Sequence, residues 1–491
     1  MGLRYKHALF LNPYFDKSTN SIMRLFPPTG LEYVATSAKN HVDALTLMDL
    51  RYEIQYSDPD ALCAFIARNG IDIICVGLGW DRQLEEICAL LNRLPANIPL
   101  IIGGYTATEK VEELFNNCRT VKIIARGEGE ETIREILTGV PLEKISGISF
   151  RAQNGITHNP HRPLPDINTL ANPDRSLRRN IYRFSFGGVN IPSLSFDTVL
   201  SARGCPYNCK FCTFSLNPLG QKRAYAAREP ASVVEEIAGI AANVILFSDE
   251  HFSLNPKRAE EICDLIIARG IKKRFIAQVR LDIARHPGLL AKMVTAGFKS
   301  LFIGVESPHD RILTMLNKGF DAKTARESFA ILTQYPIYYH GYFIYGNIGE
   351  TAEEMLEIPR FAREIGVDSI TTTKLRIEKF SPLREIAERT PGYHITERGE
   401  LYSDTFSHAA LKKIGKKIKF SFYTLPQVAK IVRKALRINL LTTTDICWIL
   451  AALPIAIVSM LWREIRKGRL RHTIKHIVEG NTQPAPSPLA R

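Results

Sequence analysis

The segment ARGCPYNCKFCTF, residues Ala202–Phe214, contains three of the nine cysteines of the 491-residue chain. Cys205, Cys209 and Cys212 are separated by three and then by two residues. Thiolates are preferred ligands of soft metals, and a structural zinc site takes four ligands in paired spacings. No further Cys or His stands beside this loop in a paired position. The segment therefore predicts a metal group that is held by three thiolates and keeps one open position.

The residues that follow this segment predict a partial barrel of parallel strands. Strand-like runs alternate with amphipathic stretches such as PKRAEEICDLIIARG and GLLAKMVTAGF, which is typical of strand–helix units. The expected strands begin near Thr198 and recur at Val244–Ser248, Phe275–Val279, Ser300–Gly304, Tyr338–Tyr345 and Ser369–Arg376. They indicate a partial (β/α)6 barrel over residues 196–395, in which the chemistry lies at the C-terminal ends of the strands. The three cysteines follow the first strand, where such a site is expected.

Residues 1–146 alternate in the same way and predict a separate α/β domain. Short apolar runs lie between amphipathic stretches, a pattern that favours a doubly wound parallel sheet with helices on both faces. The apolar runs are His7–Leu11, Asp43–Met48, Ile71–Gly77, Ile98–Ile102 and Thr120–Ala125. Ligands of such sheets bind at the carboxyl ends of the strands.

Three loops at those carboxyl ends are rich in glycine. They are Gly77–Asp81, with Gly79 and Trp80; Gly103–Thr108, with Gly103 and Gly104; and Arg126–Glu131, with Glu128. Glycine lets the backbone approach a large ligand closely, although a tight turn explains each loop alone equally well. Three such loops at one edge favour a ligand site, and the five single residues named above are its candidate binding residues.

Two further segments differ in composition from both domains. Residues 147–195 begin with a predicted hairpin around Asn154 and Gly155 and continue as a proline-rich, polar stretch that predicts a linker strap. Residues 396–491 predict a basic, mainly helical C-terminal region. No acidic residue lies between Thr405 and Thr444, and an apolar run follows at Ile446–Trp462. The end of the chain, NTQPAPSPLAR, is typical of a disordered tail.

The three-cysteine segment fits an iron–sulfur cluster better than it fits a zinc ion. A cubane cluster on three cysteines leaves one iron open, and that iron can bind a substrate or cofactor and pass it one electron. The spacing is also compatible with a zinc knuckle or with coincidental buried cysteines.

The order Cys205-Pro-Tyr-Asn-Cys209-Lys-Phe-Cys212 resembles the signature of the radical S-adenosylmethionine (SAM) enzymes. The resemblance implies that the three cysteines hold a [4Fe–4S] cluster, that the methionine part of SAM binds the fourth iron, and that the backbone of Phe211 contacts adenine. It also implies cofactor contacts or basic positions farther along the chain. These are Asp249 and Glu250 in FSDEHF, Glu306 in FIGVESP, Arg280 and Asp282 in QVRLD, and Arg223 and Arg228 after the cysteines.

The first domain resembles that of the cobalamin-binding radical SAM enzymes. The similar segments are FPPTGLEYVAT, IPLIIGGYTAT and IIARGEGEETIREIL, and the resemblance covers residues 5–390. In that subgroup the sheet holds cobalamin without a protein histidine on cobalt, and residues 1–145 contain no Asp-x-His-x-x-Gly motif. The chain departs from the pattern at Trp80, where small hydroxyl residues are common, and at Asn347-Ile348, where Leu-Pro is frequent.

The resemblance implies radical chemistry on an unactivated carbon. SAM is cleaved to a 5′-deoxyadenosyl radical that removes a hydrogen atom; methylcobalamin then delivers a methyl group, and a second SAM remethylates the cobalamin. We therefore expect a C-methyltransferase that receives electrons from a ferredoxin or flavodoxin. The alternative is a cyclase or carbon–carbon coupling enzyme that acts on a tetrapyrrole or lipid without net methyl transfer. A non-catalytic electron-transfer or scaffold protein is a third class.

The net charge of +14 fits nucleic acid or an anionic membrane as a partner. Basic residues flank the apolar run on both sides, which favours a monotopic or re-entrant segment on anionic headgroups over nucleic acid. The run is short for a hydrocarbon core of ~30 Å, and Pro454 would kink it. An internal core helix with basic neighbours is the other interpretation. We expect an apolar substrate, such as a hopanoid or another isoprenoid lipid.

The remaining cysteines and the N-terminus indicate the compartment. The other cysteines are dispersed through apolar or helical patterns, which is unlike a disulfide framework. The N-terminal sequence MGLRYKHALFLNPYF has no signal-peptide layout. We expect a cytoplasmic protein that is peripheral or monotopic at the inner face of the cell membrane.

Overall fold

The computed structural model describes residues 5–15, 24–186, 188–212, 217–223 and 225–458. Within these ranges the chain forms two seven-stranded sheets, each covered by helices. The strands of the first sheet end at His158, and those of the second begin at Arg183. The α/β class expected from the sequence is confirmed.

The first domain is a doubly wound sheet, as expected. Its strands are β1 (His7–Asn12), β2 (Ala44–Asp49), β3 (Ile73–Gly77), β4 (Leu100–Gly103), β5 (Val121–Ala125), β6 (Ile148–Ala152) and β7 (Gly155–His158); its helices are α1 (Thr29–Ala38), α2 (Pro59–Arg68), α3 (Leu84–Leu91), α4 (Tyr105–Glu109), α5 (Val111–Asn117) and α6 (Glu130–Leu137). The strand order is β2-β1-β3-β4-β5-β6-β7, and β1 to β5 pair in parallel. Successive side chains of β1 enter different cores, Leu9 on one face and Phe10 on the other, as strand alternation requires.

The predicted hairpin at Asn154 and Gly155 belongs to this first sheet. β6 pairs with β5 in antiparallel fashion, and β7 pairs with β6. Phe150 and Ile148 of β6 complete the apolar core beneath α6. The first sheet therefore extends beyond the expected boundary at residue 146, because the hairpin buries its apolar side against that core.

The second domain contains the partial barrel. Its strands are β8 (Arg183–Phe186), β9 (Val189–Val199), β10 (Ala202–Arg203), β11 (Ala226–Ala227), β12 (Val244–Phe247), β13 (Arg274–Val279), β14 (Phe298–Glu306), β15 (Tyr338–Tyr345), β16 (Ser369–Lys374), β17 (Tyr393–Ile395) and β18 (Leu401–Ser403); its helices are α7 (Pro230–Gly239), α8 (Pro256–Ala268), α9 (Pro287–Ala296), α10 (Asp310–Met315), α11 (Ala322–Leu332), α12 (Ala352–Glu364), α13 (Leu383–Arg389), α14 (His408–Phe422) and α15 (Leu425–Arg437). The large sheet has the order β16-β15-β14-β13-β12-β9-β8. Its six strands from β9 to β16 are parallel, and β8 adds an antiparallel edge that the sequence did not indicate.

The two faces of this sheet differ in burial. Phe247, Phe275 and Phe298 belong to the fully buried core between the strands and the outer helices. The opposite face, which we call the inner face, includes Leu246, Gln278, Phe302 and Tyr342 and is only partly buried. Because side chains alternate along a strand, the outer face stabilises the barrel while the inner face remains available to a ligand.

The strap between the sheets carries charged contacts to both domains. Arg178 donates to Glu32 of α1 at 2.6 Å and to Asp197 of β9 at 2.6 Å. Arg175 also donates to Asp197, at 3.0 Å. Both carboxylates are nearly inaccessible to water. The strap therefore fixes the first domain to the start of the barrel through buried ion pairs.

The C-terminal region covers the lower end of the barrel, where the strands begin. Gln427 of α15 donates to the backbone oxygen of Asp368, one residue before β16. Residues 443–458 are helical, and Asp445 accepts a 2.7 Å hydrogen bond from Arg274, the first residue of β13. In the described part of the chain, helices capable of crossing a bilayer are absent. The end of the predicted apolar run, the second basic cluster and the tail lie outside the described residues.

Candidate active site

The cysteine loop, residues 204–212, is fixed at both ends by backbone contacts. The short pair β10 and β11 closes its base, and the amide of Cys205 donates to the oxygen of Arg223 at 3.2 Å. Lys210 donates to the oxygen of Leu316 at 3.0 Å. Gly204 has φ +91°, and a Cβ there would overlap the Arg223 carbonyl. The loop consequently depends on glycine at this position.

A cationic side chain lies beside the cysteine loop. Cys209 is buried, while Cys205 and Cys212 are partly buried. Nη1 of Arg280 is 3.5 Å from Sγ of Cys209, so a positive charge stands beside the sulfur. Across the ranges described, no three Cys, His, Asp or Glu side chains form a ready site for a single metal ion. Three soft donors on one closed loop, next to a guanidinium, fit an anionic iron–sulfur cluster.

Arg280 is itself held by aromatic and acidic neighbours. Its guanidinium lies 3.8 Å from the ring centroid of Tyr207, and the hydroxyl of Tyr207 donates to Asp282 at 2.9 Å. Burial raises the pKa of Asp282, but the nearby ring of His251, the hydrogen bond from Tyr207 and the charge of Arg280 outweigh it and lower that pKa to about 2. Asp282 is therefore ionised at neutral pH and supports Tyr207 and Arg280 rather than contacting the thiols.

The two acidic candidates after β12 have different positions. Asp249 is fully buried and accepts hydrogen bonds from the amides of Ser201 and Ala202 at 2.6 and 3.1 Å. Burial raises its pKa, although these donors oppose the shift. Its carboxylate holds the backbone that leads into the cysteine loop and is inaccessible to a cofactor. Glu250 is partly buried and accepts from the amide of Gly204 at 2.9 Å, so that of the two it is the one at the loop surface.

Glu306 ends β14 in an uncommon backbone conformation. Its φ is +71°, a region in which a non-glycine residue is strained and which often marks a functional site. Its carboxylate accepts a 2.7 Å hydrogen bond from Lys318, and both side chains are 6% exposed. A Cβ on Gly304 would overlap Glu306, which places this carboxylate along the inner face. Phe211 lies nearby, with its ring centroid 5.6 Å from Nζ of Lys318.

The glycine-rich loops of the first domain separate into two groups. Gly104 has φ +107°, and a Cβ there would lie 2.5 Å from the oxygen of Leu78, while a Cβ on Gly103 would touch Ala125 at 3.5 Å. The turn after β4 therefore requires glycine at position 104, whereas a Cβ at position 103 would make only an ordinary van der Waals contact. By contrast, a Cβ added to Gly79 would have no described atom within 4 Å. The next residue, Trp80, is 46% exposed. The loop after β3 therefore keeps open space for a ligand.

Glu128 joins the first domain to the cysteine loop. It accepts hydrogen bonds from Arg203, the residue before Gly204, and from Arg223, at 2.7 Å for Nη2 of Arg223. Arg203 also donates to Glu130 at 2.8 Å. The sequence placed Glu128 in a cofactor loop, but its carboxylate is engaged by the two arginines that frame the cysteine loop. Arg228 is likewise engaged, by the buried Glu236.

A cleft of about 210 Å³ joins the two domains at this edge. Its walls come from the first domain, from the cysteine loop and from the stretch after β16. The lining residues include Tyr105, Glu109, Cys209, Lys210, Cys212, Lys222, Glu378 and Phe380. Burial raises the pKa of Tyr105 well above its usual value, and Glu378 and Glu109 raise it further, so its hydroxyl stays protonated. Tyr105 directly follows Gly104 in the sequence, but no local pattern indicates that it lines this cleft.

Removal of the Glu128 carboxylate tests this assignment. Glu128→Ala leaves Arg203 and Arg223 without their shared acceptor. We expect the free energy of unfolding to fall by about 2–3 kcal/mol, less than the ~3–5 kcal/mol of a fully buried pair, because Glu128 is 23% exposed. Loss of cluster absorbance during denaturation measures the change. The exposed Glu143→Ala is the control. A loss of cobalamin affinity without a loss of stability would instead indicate that Glu128 contacts the cofactor.

Comparison with known proteins gives a family and several relatives. A sequence model of the radical SAM superfamily matches residues 199–362, which include the whole cysteine loop. The chain is 25% identical to an uncharacterized methyltransferase of Pyrococcus horikoshii, over 83% of this chain and 86% of the relative. It is 24% identical to an anaerobic magnesium-protoporphyrin IX monomethyl ester cyclase of Cereibacter sphaeroides, over 76% and 62%. It is 25% identical to a hopanoid C-3 methylase of Methylococcus capsulatus, over 59% and 55%.

Two solved structures share the arrangement of both domains. The radical SAM methyltransferase TsrM from Kitasatospora setae, with cobalamin and a [4Fe–4S] cluster bound, matches with a TM-score of 0.66 at 16% identity, over 86% of this chain and 90% of TsrM. The cobalamin-dependent radical enzyme OxsB, with aqua-cobalamin and SAM bound, matches with a TM-score of 0.65 at 14% identity, over 98% and 82%. The [4Fe–4S] cluster and SAM are the cofactors of the matched domain. Residues 199–362 therefore match the radical SAM domain, and the two domains together have the fold of cobalamin-dependent members of that superfamily.

Proposed function

We propose that the enzyme cleaves SAM reductively at its cluster and, with cobalamin, methylates an unactivated carbon of an apolar substrate. The observation that carries this proposal is the shared cleft. Tyr105 and Glu109 from the ligand edge of the first domain line the same space as Cys209 and Cys212. A methyl donor held by the first domain and an electron donor held by the cysteines would thus meet in one place.

Cys205, Cys209 and Cys212 would hold the cluster. When bound, it supplies one electron to the sulfonium of SAM and so allows the sulfur–carbon bond to break. Arg280 keeps a positive charge 3.5 Å from Sγ of Cys209, and a cation close to an anionic cluster stabilises its reduced form. Glu250 and Glu306 would orient the amino and ribose groups of SAM, and Phe211 its adenine.

Cobalamin would lie against the edge formed by the loops after β3 and β4. The open space beside Gly79 and the exposed ring of Trp80 fit a large flat group, and a large apolar body held by a few polar contacts is typical of cofactor sites. Tyr14 orders this loop, since its hydroxyl accepts from the amide of Trp80 at 2.6 Å.

An added side chain at Gly79 tests this placement. Gly79→Val fills space that no described atom occupies, so we expect an intact fold and normal SAM cleavage. Cobalamin retention should fall roughly tenfold, as expected for forced overpacking, and equilibrium dialysis with hydroxocobalamin measures it. Gly239→Val, at a second glycine with open surroundings, is the control. Unchanged retention in the Gly79 variant would move the cofactor away from this loop.

The inner face of the barrel supports an apolar substrate. Phe302 packs against the ring of His340 at a centroid distance of 5.1 Å and against Tyr342 at 6.0 Å. Burial lowers the pKa of His340 to about 4, so its ring is neutral at neutral pH. An uncharged aromatic wall suits a lipid-like molecule, and a hopanoid methylase is among the relatives.

A second candidate is cyclisation or carbon–carbon coupling without methyl transfer. It is favoured by the cyclase relative, which aligns with 76% of this chain. Anaerobic incubation with SAM carrying a labelled methyl group separates the two. Label in an apolar product supports methylation, and deoxyadenosine with an unlabelled product supports the second candidate. Absence of SAM cleavage by protein with a full cluster would refute both.

We also propose that the enzyme is peripheral or monotopic at the inner, cytoplasmic face of the cell membrane and receives electrons from a ferredoxin or flavodoxin. The net charge of +14 supports both an anionic surface and an acidic electron donor. A lipid substrate would be available at that surface.

A further inference from the structure

The C-terminal helices expose an unusual amount of apolar surface. On α15, Leu425, Val428, Val432 and Leu436 are exposed and follow each other at spacings of three or four residues, so they form one stripe along the helix. Leu425 is 88% exposed. Large contiguous apolar patches of this kind mark interaction sites on soluble domains.

The helix at residues 443–458 enlarges this surface. Only one side of it packs on the barrel, through Asp445, Ile449, Ala452 and Ala456. Most of its remaining residues are apolar and exposed; Leu450, Leu453 and Ile455 are examples, with Leu450 at 60%. We call the exposed apolar residues of α15 and of this helix the docking face.

Basic residues border the docking face. Lys430, Arg433 and Arg437 lie on α15 beside the stripe and are exposed, and no acidic residue lies between Thr405 and Thr444. A dimer formed through this face is unfavourable, because it would bring the basic residues of the two copies together. Residues 463–471 of the chain are also mainly basic, so their charge would oppose binding of this segment to the docking face. An anionic surface with an apolar interior satisfies both the charge and the apolar stripe.

The position of the docking face determines which end of the barrel would face a bound surface. Lys434 of α15 pairs with Asp368 directly before β16, and Asp445 pairs with Arg274 at the start of β13. The face therefore lies under the N-terminal ends of the strands, opposite the cysteine loop. Ile449 and Ala452 pack in one cluster with Leu246 and Phe302 of the inner face. The packed side of this helix therefore contacts the inner face, while its exposed side belongs to the docking face.

We infer that the docking face binds an anionic lipid bilayer and sets the lower mouth of the barrel, rather than the cysteine loop, against the lipid. The inference rests on the proposed location at a membrane and adds the residues and the orientation.

Two tryptophans report this orientation directly. Trp448 is 44% exposed and lies on the docking face. Trp80 is 46% exposed and lies at the opposite end of the barrel. Its neighbour Asp81 is 3.6 Å from Arg376, which follows the C-terminal end of β16. Single-tryptophan proteins are W80F/W462F, which keeps Trp448, and W448F/W462F, which keeps Trp80. In vesicles of phosphatidylglycerol and phosphatidylcholine with brominated acyl chains, Trp448 should lose most of its emission and Trp80 should keep it.

The basic border is tested by charge removal. K430Q/R433Q/R437Q should weaken binding to these vesicles on the order of 100-fold, from about fivefold per cation at an anionic surface. R119Q/K122Q/K144Q removes the same charge from exposed positions of the first domain and should bind nearly as the parent protein does. Vesicles of phosphatidylcholine alone, or high salt, should also weaken binding. Equal losses in the two triple variants would overturn the assigned face.

The outcomes separate this inference from the proposed chemistry. Quenching of Trp80, equal quenching of both tryptophans, or no vesicle binding would overturn the docking inference, and so would a dimer that shields Trp448 without lipid. SAM cleavage by the parent protein is measured without vesicles. Cleavage without docking refutes only the orientation, whereas docking without cleavage refutes only the proposed function.

Discussion

Serine in place of Cys209 is expected to remove the cluster and stop formation of 5′-deoxyadenosine. A hydroxyl is a hard, weakly acidic ligand and does not replace a thiolate on iron. Changes outside the ligand set of a metal site reduce affinity or activity by about 10–100-fold, so loss of a ligand should exceed about 100-fold. Iron and sulfide content after anaerobic reconstitution, with deoxyadenosine formed from SAM, measure the effect. Cys205→Ser and Cys212→Ser should behave alike.

A second thiol provides the control for this experiment. Cys263 is fully buried in α8 and belongs to the outer core of the barrel. Cys263→Ser changes packing but should keep the iron content and the rate of SAM cleavage per folded protein. A Cys209 variant that still binds four irons and cleaves SAM, or a parent protein that contains zinc on this loop, would contradict the assignment.

Removal of the Lys318 ammonium is the second large effect that we expect. Lys318→Met leaves the Glu306 carboxylate buried and without its cation, in a residue that already has φ +71°. Breaking a buried pair on one side lowers the free energy of unfolding by about 3–5 kcal/mol. Chemical denaturation of the protein measures this loss. Lys323→Met is the matched control, since its pair with Glu327 is exposed and should contribute less than about 1 kcal/mol.

A double variant separates stability from cofactor binding. Lys318→Met/Glu306→Gln removes both charges, and most of the lost stability should return because no unpaired charge remains. If Glu306 contacts the ribose of SAM, the double variant should still bind SAM roughly tenfold more weakly, as for loss of a hydrogen bond to a charged group. Calorimetric titration with SAM tests this. Parent-like affinity in the double variant would assign Glu306 to structure alone.

The strands, the helices and the cysteine loop were predictable because their signals are local. The apolar runs of the first domain and the alternating units after Thr198 both became the expected sheets. Helix starts also followed local chemistry, as with the proline in the first turn of α7, α8 and α9. The hairpin β6–β7 was foreseen as a hairpin, but its membership of the first sheet depends on pairing with β5, which composition does not reveal.

The roles of individual carboxylates were less predictable because they depend on distant partners. Asp249 and Glu250 are neighbours in sequence, but one holds Ser201 and Ala202 from within the core and the other reaches Gly204. Glu128 meets Arg203, 75 residues later, and no local pattern encodes that contact. Similarly, the apolar run after Asp445 is compatible with a core helix or a membrane surface until its packed and exposed sides are known.

The central claim is that three thiolates leave one iron free to bind SAM. Electron–nuclear double resonance on the reduced protein tests it most directly, with SAM that carries ¹⁵N in its amino group and ¹⁷O in its carboxylate. We expect hyperfine coupling of both labels to the cluster. Labelled SAM that is bound to the protein but shows no coupling to the cluster would contradict it.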